Sequence, residues 1–146
     1  MKRRLGWAAG LMAVADCGNS SGVDVDPAVA PFVGTWDAVV MTATADAPPN
    51  QVIDILGAGG TFWISVEPSG QYTATLAFLG PHVELGDMTV ETSSTLTLHP
   101  LAGDPAPTTY LFATPDSLIL DGATQFDYNL DGTPEPAQGH IELVRQ

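Results

Sequence analysis

The sequence contains very few basic residues. Only 4 of its 146 residues are Lys or Arg, against 17 Asp and Glu, so the formal net charge at pH 7 is −13. Three of the four bases lie among the first four residues, and after residue 16 only Arg145 remains, against 16 acidic residues. A surface of this charge repels phosphate, which excludes nucleic-acid binding and electrostatic attachment to anionic lipid.

Cysteine is nearly absent as well. The single cysteine, Cys17, excludes an internal disulfide framework and a metal site built from several cysteines. The apolar run at residues 5–15 has 11 residues, which is short of the roughly 20 that a membrane-spanning helix needs. The hydrophobic fraction of 45% is too high for a disordered acidic protein, and the length suits one folded domain.

The N-terminal segment has the organisation of an export signal, with a basic start, a short apolar run and then Val14-Ala15-Asp16-Cys17. This sequence resembles the lipobox of bacterial lipoproteins. The resemblance implies a signal peptide at residues 1–16 and a lipid anchor on Cys17 that holds the exported chain to the bacterial cell envelope. Gly18 implies the outer membrane where the host has one. Asp16 departs from the usual Gly, Ala or Ser, so an ordinary secretion signal with an incidental cysteine is the alternative.

The rest of the chain divides into a linker and a β-rich domain. Residues 17–31 are small, acidic and contain proline, which predicts a flexible linker. From residue 32 to residue 146, short runs with apolar residues at every second position are cut by Gly, Pro, Asp and Ser about every ten residues. This pattern predicts an all-β domain, an antiparallel up-and-down barrel of about eight strands. One short helix is predicted at Asn50–Leu56, and a turn at Asp121-Gly122 is expected to separate two strands.

The first predicted strand begins with Gly34-Thr35-Trp36. This motif resembles the start of the lipocalin and lipocalin-like families, and the chain is most similar in this respect to small bacterial lipocalin-like lipoproteins. The resemblance implies that Trp36 closes the floor of the barrel and that Arg145, at the end of the last strand, packs across it. An ordinary core tryptophan and an unrelated surface arginine are the alternative. The second lipocalin signature, around Thr-Asp-Tyr, is not evident, so no ligand specificity is carried over.

A closed barrel of eight strands either fills with side chains or leaves room for one small ligand. The leading interpretation is a barrel that binds a small apolar ligand, and an internal void of at least about 300 Å³ favours it. The alternative is a filled barrel that acts as an inhibitor or as an interaction module toward another envelope protein. Alternation places these large apolar residues inside as candidate pocket residues: Trp36, Phe62, Tyr72, Leu76, Phe78, Tyr110, Phe112 and Phe126.

The segment Asp127–Glu135 has the D-x-N-x-D-G pattern of a calcium-binding loop. Calcium is the one cofactor that the sequence suggests, because the loop offers many oxygen ligands. The predicted ligands are Asp127, Asn129, Asp131, Thr133 and Glu135. The twelfth position holds Gln138 in place of the usual Glu, and a plain hairpin turn is the alternative.

The sequence contains no motif that is typical of a catalytic site. The sequence has no Gly-x-Ser-x-Gly nucleophile elbow, and lipidation would consume the thiol of Cys17. His82 and Glu84 share one strand face because they lie two residues apart, which makes them a pair for at most one metal ion. We therefore expect a protein that is not an enzyme.

Overall fold

The computed structural model describes residues 24–146, so the predictions for the signal peptide and for Cys17 lie outside the described residues. A 3-10 helix at Ala30–Phe32 precedes nine strands. The strands are β1 Gly34–Ala45, β2 Val52–Asp54, β3 Thr61–Val66, β4 Gln71–Ala77, β5 Pro81–Val90, β6 Thr95–Pro100, β7 Ala106–Thr114, β8 Ser117–Phe126 and β9 Glu135–Arg145. Within residues 24–146 no helix has the length and apolar character that crossing a membrane requires.

Eight of the strands form a closed antiparallel barrel. From β3 to β9 each strand pairs with the next, β3 also pairs with β1, and β9 pairs with β1 to close the sheet. The predicted fold class, an all-β up-and-down barrel of about eight strands, is confirmed. It follows from the two-residue period of the side chains, which buries one face of every strand in a common interior.

Two predicted elements differ from the structure. Residues Val52–Asp54 form strand β2 and not part of a helix, because β1 extends beyond β3 and its far end offers unpaired backbone groups to Val52 and Ile53. The predicted turn at Asp121-Gly122 lies inside β8, which pairs with β9 without interruption. Gly122 is opposite Gly139 in this pairing, so the two strands pass at a point where neither carries a side chain.

The strand connections divide between two ends of the barrel. The 3-10 helix and the turns at residues 67–70, 91–94 and 115–116 form what we call the closed end. The connection at residues 46–60, which includes β2, and the loops at residues 78–80, 101–105 and 127–134 form what we call the open end.

The closed end is sealed by the segment that leads into β1. The side chains of Val29 and Phe32 are buried, and the backbone N–H groups of Val29 and Ala30 donate to the carbonyl of Asp26 at 2.9 Å. Val29 and Phe32 thus belong to the packed core of this end although they precede β1. The side chain of Val29 lies against Gly70 in the turn between β3 and β4, and its burial stabilises this end of the barrel.

Trp36 is the centre of the closed end and has no exposed surface. Its indole N–H donates to the carbonyl of Phe32 at 2.7 Å, and the guanidinium carbon of Arg145 lies 4.1 Å from the centroid of its ring. Gly34 permits this approach, because its φ is +128° and a Cβ there would lie 2.9 Å from Nη1 of Arg145.

Arg145 also ties together the segments that meet at this end. Its guanidinium donates to the carbonyls of Pro31 and Val33 ahead of β1, and it bonds to Asp116 in the turn between β7 and β8 at 3.1 Å. Arg145, the one Lys or Arg among residues 24–146, is therefore engaged at the closed end, opposite the open end.

Candidate functional site

The half of the barrel toward the open end contains a cavity of about 610 Å³. This volume exceeds the 300 Å³ or so expected of a ligand-binding interior and falls within the range of typical small-molecule sites. Much of the wall is apolar and comes from inward-facing positions of five strands: Phe62 and Ile64 on β3, Leu76 on β4, Leu98 on β6, Leu120 and Phe126 on β8, and Ile141 on β9. The barrel is therefore filled at one end and hollow at the other.

Three of the eight candidate pocket residues line this cavity, namely Phe62, Leu76 and Phe126. The other five do not. Phe78 stacks on Phe126 with ring centroids 5.9 Å apart and borders a separate surface depression at residues 77–81. The remaining four belong to the packed core: Trp36, Tyr72, Tyr110 and Phe112.

The position of a residue along the barrel axis explains why three of the eight line the cavity and five do not. Alternation tells which face of a strand turns inward, but not how far the residue lies from the closed end. Tyr110 and Phe112 lie toward the closed end of β7, where both rings pack 4.9 Å from the ring of Phe32. These aromatic residues fill the interior at the closed end. Toward the open end the wall contains the smaller residues Ala43, Ala74 and Gly139, which leave the cavity empty of side chains.

Strand β5 contributes polar side chains to the wall. Glu84 is paired with Ala74 of β4, and His82 is paired with Leu76, so both polar residues share the inward face with cavity residues. The hydroxyl of Tyr72 donates a hydrogen bond of 2.6 Å to Oε1 of Glu84. The structure thus places His82 and Glu84 side by side at the cavity, with the carboxylate held by a core tyrosine.

The phenol of Tyr72 remains a donor at neutral pH. Burial raises the pKa of Tyr72 well above its ordinary value of about 10, and the hydrogen bond to Glu84 raises this pKa further. Since Tyr72 is only 2% exposed, its position is fixed by the core, and it orients the carboxylate of Glu84.

The cavity opens beside the first half of β5. Residues Pro81–Leu85 pair with β4 on one side, whereas pairing with β6 on the other side starts only at Gly86. Glu84 is accordingly exposed to solvent, as is Leu101 in the loop after β6. A small molecule can reach the carboxylate from outside without displacing a strand.

The predicted calcium loop connects β8 and β9 at the open end. Carboxylate oxygens of Asp127, Asp131 and Glu135 lie within 4.8 Å of one another. The side chain of Asn129 is engaged in hydrogen bonds within the loop. Its amide N–H donates to Glu135 at 2.8 Å, and its amide oxygen accepts from the backbone N–H of Asp131 at 2.8 Å. Thr133 donates its backbone N–H to Asp131. The loop thus satisfies its own hydrogen bonds as a hairpin turn would, while three carboxylates converge as the calcium hypothesis requires.

Thermal unfolding tests the calcium prediction. If the loop binds the ion, calcium at a hundredfold excess over its dissociation constant should stabilise the domain by about 2.7 kcal/mol and raise the melting temperature. Chelator should reverse the increase, and Asp131→Ala should abolish it. A melting temperature that calcium does not change, or a shift that persists in the variant, would show that the loop is a plain hairpin turn.

Comparisons with known proteins bear on the fold. No protein-family model matches the chain, and no curated protein matches it. A solved structure described as EF1p2_mFAP2b bound to DFHBI is similar to it, with a TM-score of 0.54 and 21% sequence identity. The likeness covers 82% of this chain and 97% of that one. It supports the barrel architecture of residues 24–146.

Proposed function

We propose that this protein is a lipocalin-like barrel that binds a small apolar ligand in the cavity of its open end and catalyses no reaction. The observation that carries the proposal is the cavity of about 610 Å³, walled largely by apolar side chains of a rigid closed sheet. Burial of an apolar ligand there contributes about 25 cal/mol for each Å² removed from water. The sheet is already closed around the space, so little conformational entropy is lost on binding.

The fold comparison supports the same function. The similar barrel of EF1p2_mFAP2b is described as bound to DFHBI, so a barrel of this architecture is compatible with small-molecule binding. The mouth of the cavity also suits an apolar ligand, because Val83 and Leu101 line it and are exposed. An apolar molecule that approaches this end can contact these side chains, and both then lose surface exposed to water.

Titration with the neutral dye Nile red tests the proposal. We expect a saturable, blue-shifted emission with one dye per barrel, because the dye leaves water for the wall around Phe62 and Phe126. Unlabelled decan-1-ol should displace it. Emission that grows without saturation, or that decan-1-ol leaves unchanged, would contradict a single apolar site and would favour an interaction module.

We propose further that Cys17 attaches the domain to the bacterial cell envelope. The support comes from the lipobox-like segment and from the direction in which the chain enters the domain. Residues 26–33 pack against the closed end, on the side of the barrel away from the cavity. An anchor at residue 17 would therefore join the domain at its closed end, opposite the cavity.

Metabolic labelling with a fatty-acid analogue tests this anchor. The wild-type protein should incorporate the label and fractionate with membranes, whereas Cys17→Ser should do neither. Equal labelling of the two proteins would refute attachment through Cys17.

A further inference from the structure

We infer that the cavity selects apolar molecules that end in a positively charged amine over molecules of the same shape that end in a neutral or anionic group. This inference rests on the proposed ligand-binding function and specifies the chemical class of the ligand. It is carried by the position of Glu84 in the cavity wall, by its hydrogen bond to Tyr72, and by the absence of a cation from the described lining.

The described lining contains one formally charged residue. Among residues 24–146 that line the cavity, Glu84 is the only Asp, Glu, Lys or Arg. The other polar side chains are hydroxyls, the amide of Gln125 and the imidazole of His82. Arg145 lies at the closed end and is engaged with Trp36 and Asp116. An anionic end group would thus find a carboxylate beside it and no arginine or lysine to pair with.

The geometry of Glu84 leaves it free to accept another donor. The hydroxyl of Tyr72 occupies Oε1, and no hydrogen bond from residues 24–146 to Oε2 is present. Because Tyr72 holds the side chain in place, a second donor does not have to order a mobile carboxylate. A hydrogen bond between charged groups is stronger than a neutral hydrogen bond of the same kind.

The surroundings of Glu84 fit a ligand with two different ends. Its cross-strand neighbour Ala74 is small, so the space in front of the carboxylate stays open. Beyond Ala74 the wall continues with Ile64 and Leu76, and Phe62 and Phe126 complete it. An amine at Glu84 can therefore keep its apolar body against these side chains while the charged end stays near the mouth.

The charge of the whole domain acts in the same direction. Residues 24–146 carry 16 acidic residues and one base, a formal charge of −15. This field concentrates cations and depletes anions near the mouth, and a carboxylate that entered would lose hydration without gaining a lysine or arginine as its partner.

Three probes with one apolar body test the inference: decylammonium, decan-1-ol and decanoate. Each is used to displace Nile red from the protein at pH 8. Salt at 0.15 M limits the contribution of the distant surface charges. We expect decylammonium to bind at least about tenfold more tightly than decan-1-ol, and decanoate to bind most weakly.

Two isosteric variants separate Glu84 from the general surface charge. Glu84→Gln should lower the affinity for decylammonium about tenfold and should leave decan-1-ol within about twofold. Glu67→Gln removes an equal charge from the turn at the closed end and should change neither affinity by more than about twofold. The amide oxygen of the first variant still accepts from Tyr72, and its melting temperature checks that the barrel is intact.

The outcomes distinguish this inference from the proposed function. Equal binding of the three probes, or an unchanged preference in Glu84→Gln, overturns the selection of amines while the ligand-binding barrel stands. An equal loss in both variants assigns the preference to the surface and overturns the role of Glu84. Failure of all three probes to displace Nile red overturns the ligand-binding function and the selection together.

Discussion

Replacement of Trp36 by alanine is expected to lower the free energy of unfolding by about 3–5 kcal/mol, the usual cost of removing a large buried aromatic side chain. The indole has no exposed surface, donates to the carbonyl of Phe32 and packs 6.1 Å from the ring of Phe112. Its removal leaves a void on the floor of the barrel and takes away the surface on which Arg145 lies. Since a domain of this size has about 5–15 kcal/mol of stability in total, the loss is a large share of it.

Chemical denaturation measures this effect, and Arg145→Ala provides the comparison. The arginine variant should lose less, about 1–3 kcal/mol, because it gives up charge-assisted hydrogen bonds and a cation–π contact but leaves the indole buried. A Trp36→Ala protein that unfolds within about 1 kcal/mol of the wild type would show that the closed end contributes little.

Replacement of Ala74 by tryptophan is expected to weaken Nile red binding about a hundredfold, which corresponds to about 2.7 kcal/mol. Ala74 faces the cavity between Ile64 and Glu84, so an indole at this position would occupy the space of the ligand. The barrel should tolerate the larger residue because a void already lies in front of Ala74, and overpacking costs arise only where neighbours must move.

The matched control is Thr73→Trp, one residue earlier on β4. Its side chain turns to the outer face, opposite Ser65 and Leu85, so the same indole is added without entering the cavity. This variant should bind Nile red as the wild type does. If Ala74→Trp retains full affinity at an unchanged melting temperature, the dye binds elsewhere on the protein.

The fold could be predicted from the sequence largely because strand periodicity is a local property. Segments such as Tyr72-Thr73-Ala74-Thr75-Leu76 alternate by themselves, and this alternation is what closes an interior face. The two misassigned segments, Asn50–Leu56 and Asp121-Gly122, carry local signals for a helix and a turn. In both, pairing with a neighbouring strand outweighs the local preference, and a neighbour cannot be identified from one segment.

The site was less predictable than the fold, and Glu84 shows why. The sequence places His82 and Glu84 on one strand face, but it does not place the hydroxyl of Tyr72 at 2.6 Å from the carboxylate. That contact depends on the register between β4 and β5. The inward face of β5 carried a usable signal, since His82 and Glu84 precede Gly86 and Met88 at every second position. These two polar residues were the signal in the sequence for the polar part of the cavity wall.

The most direct test of a ligand-binding interior is to locate a bound molecule. Nuclear Overhauser effects between decan-1-ol and methyl groups of the isotopically labelled protein report which side chains it touches. We predict contacts to Ile64, Leu76 and Leu98 in the cavity wall, and none to the exposed Leu111 on the outer face. Contacts confined to outer-face residues at saturating decan-1-ol would contradict the account.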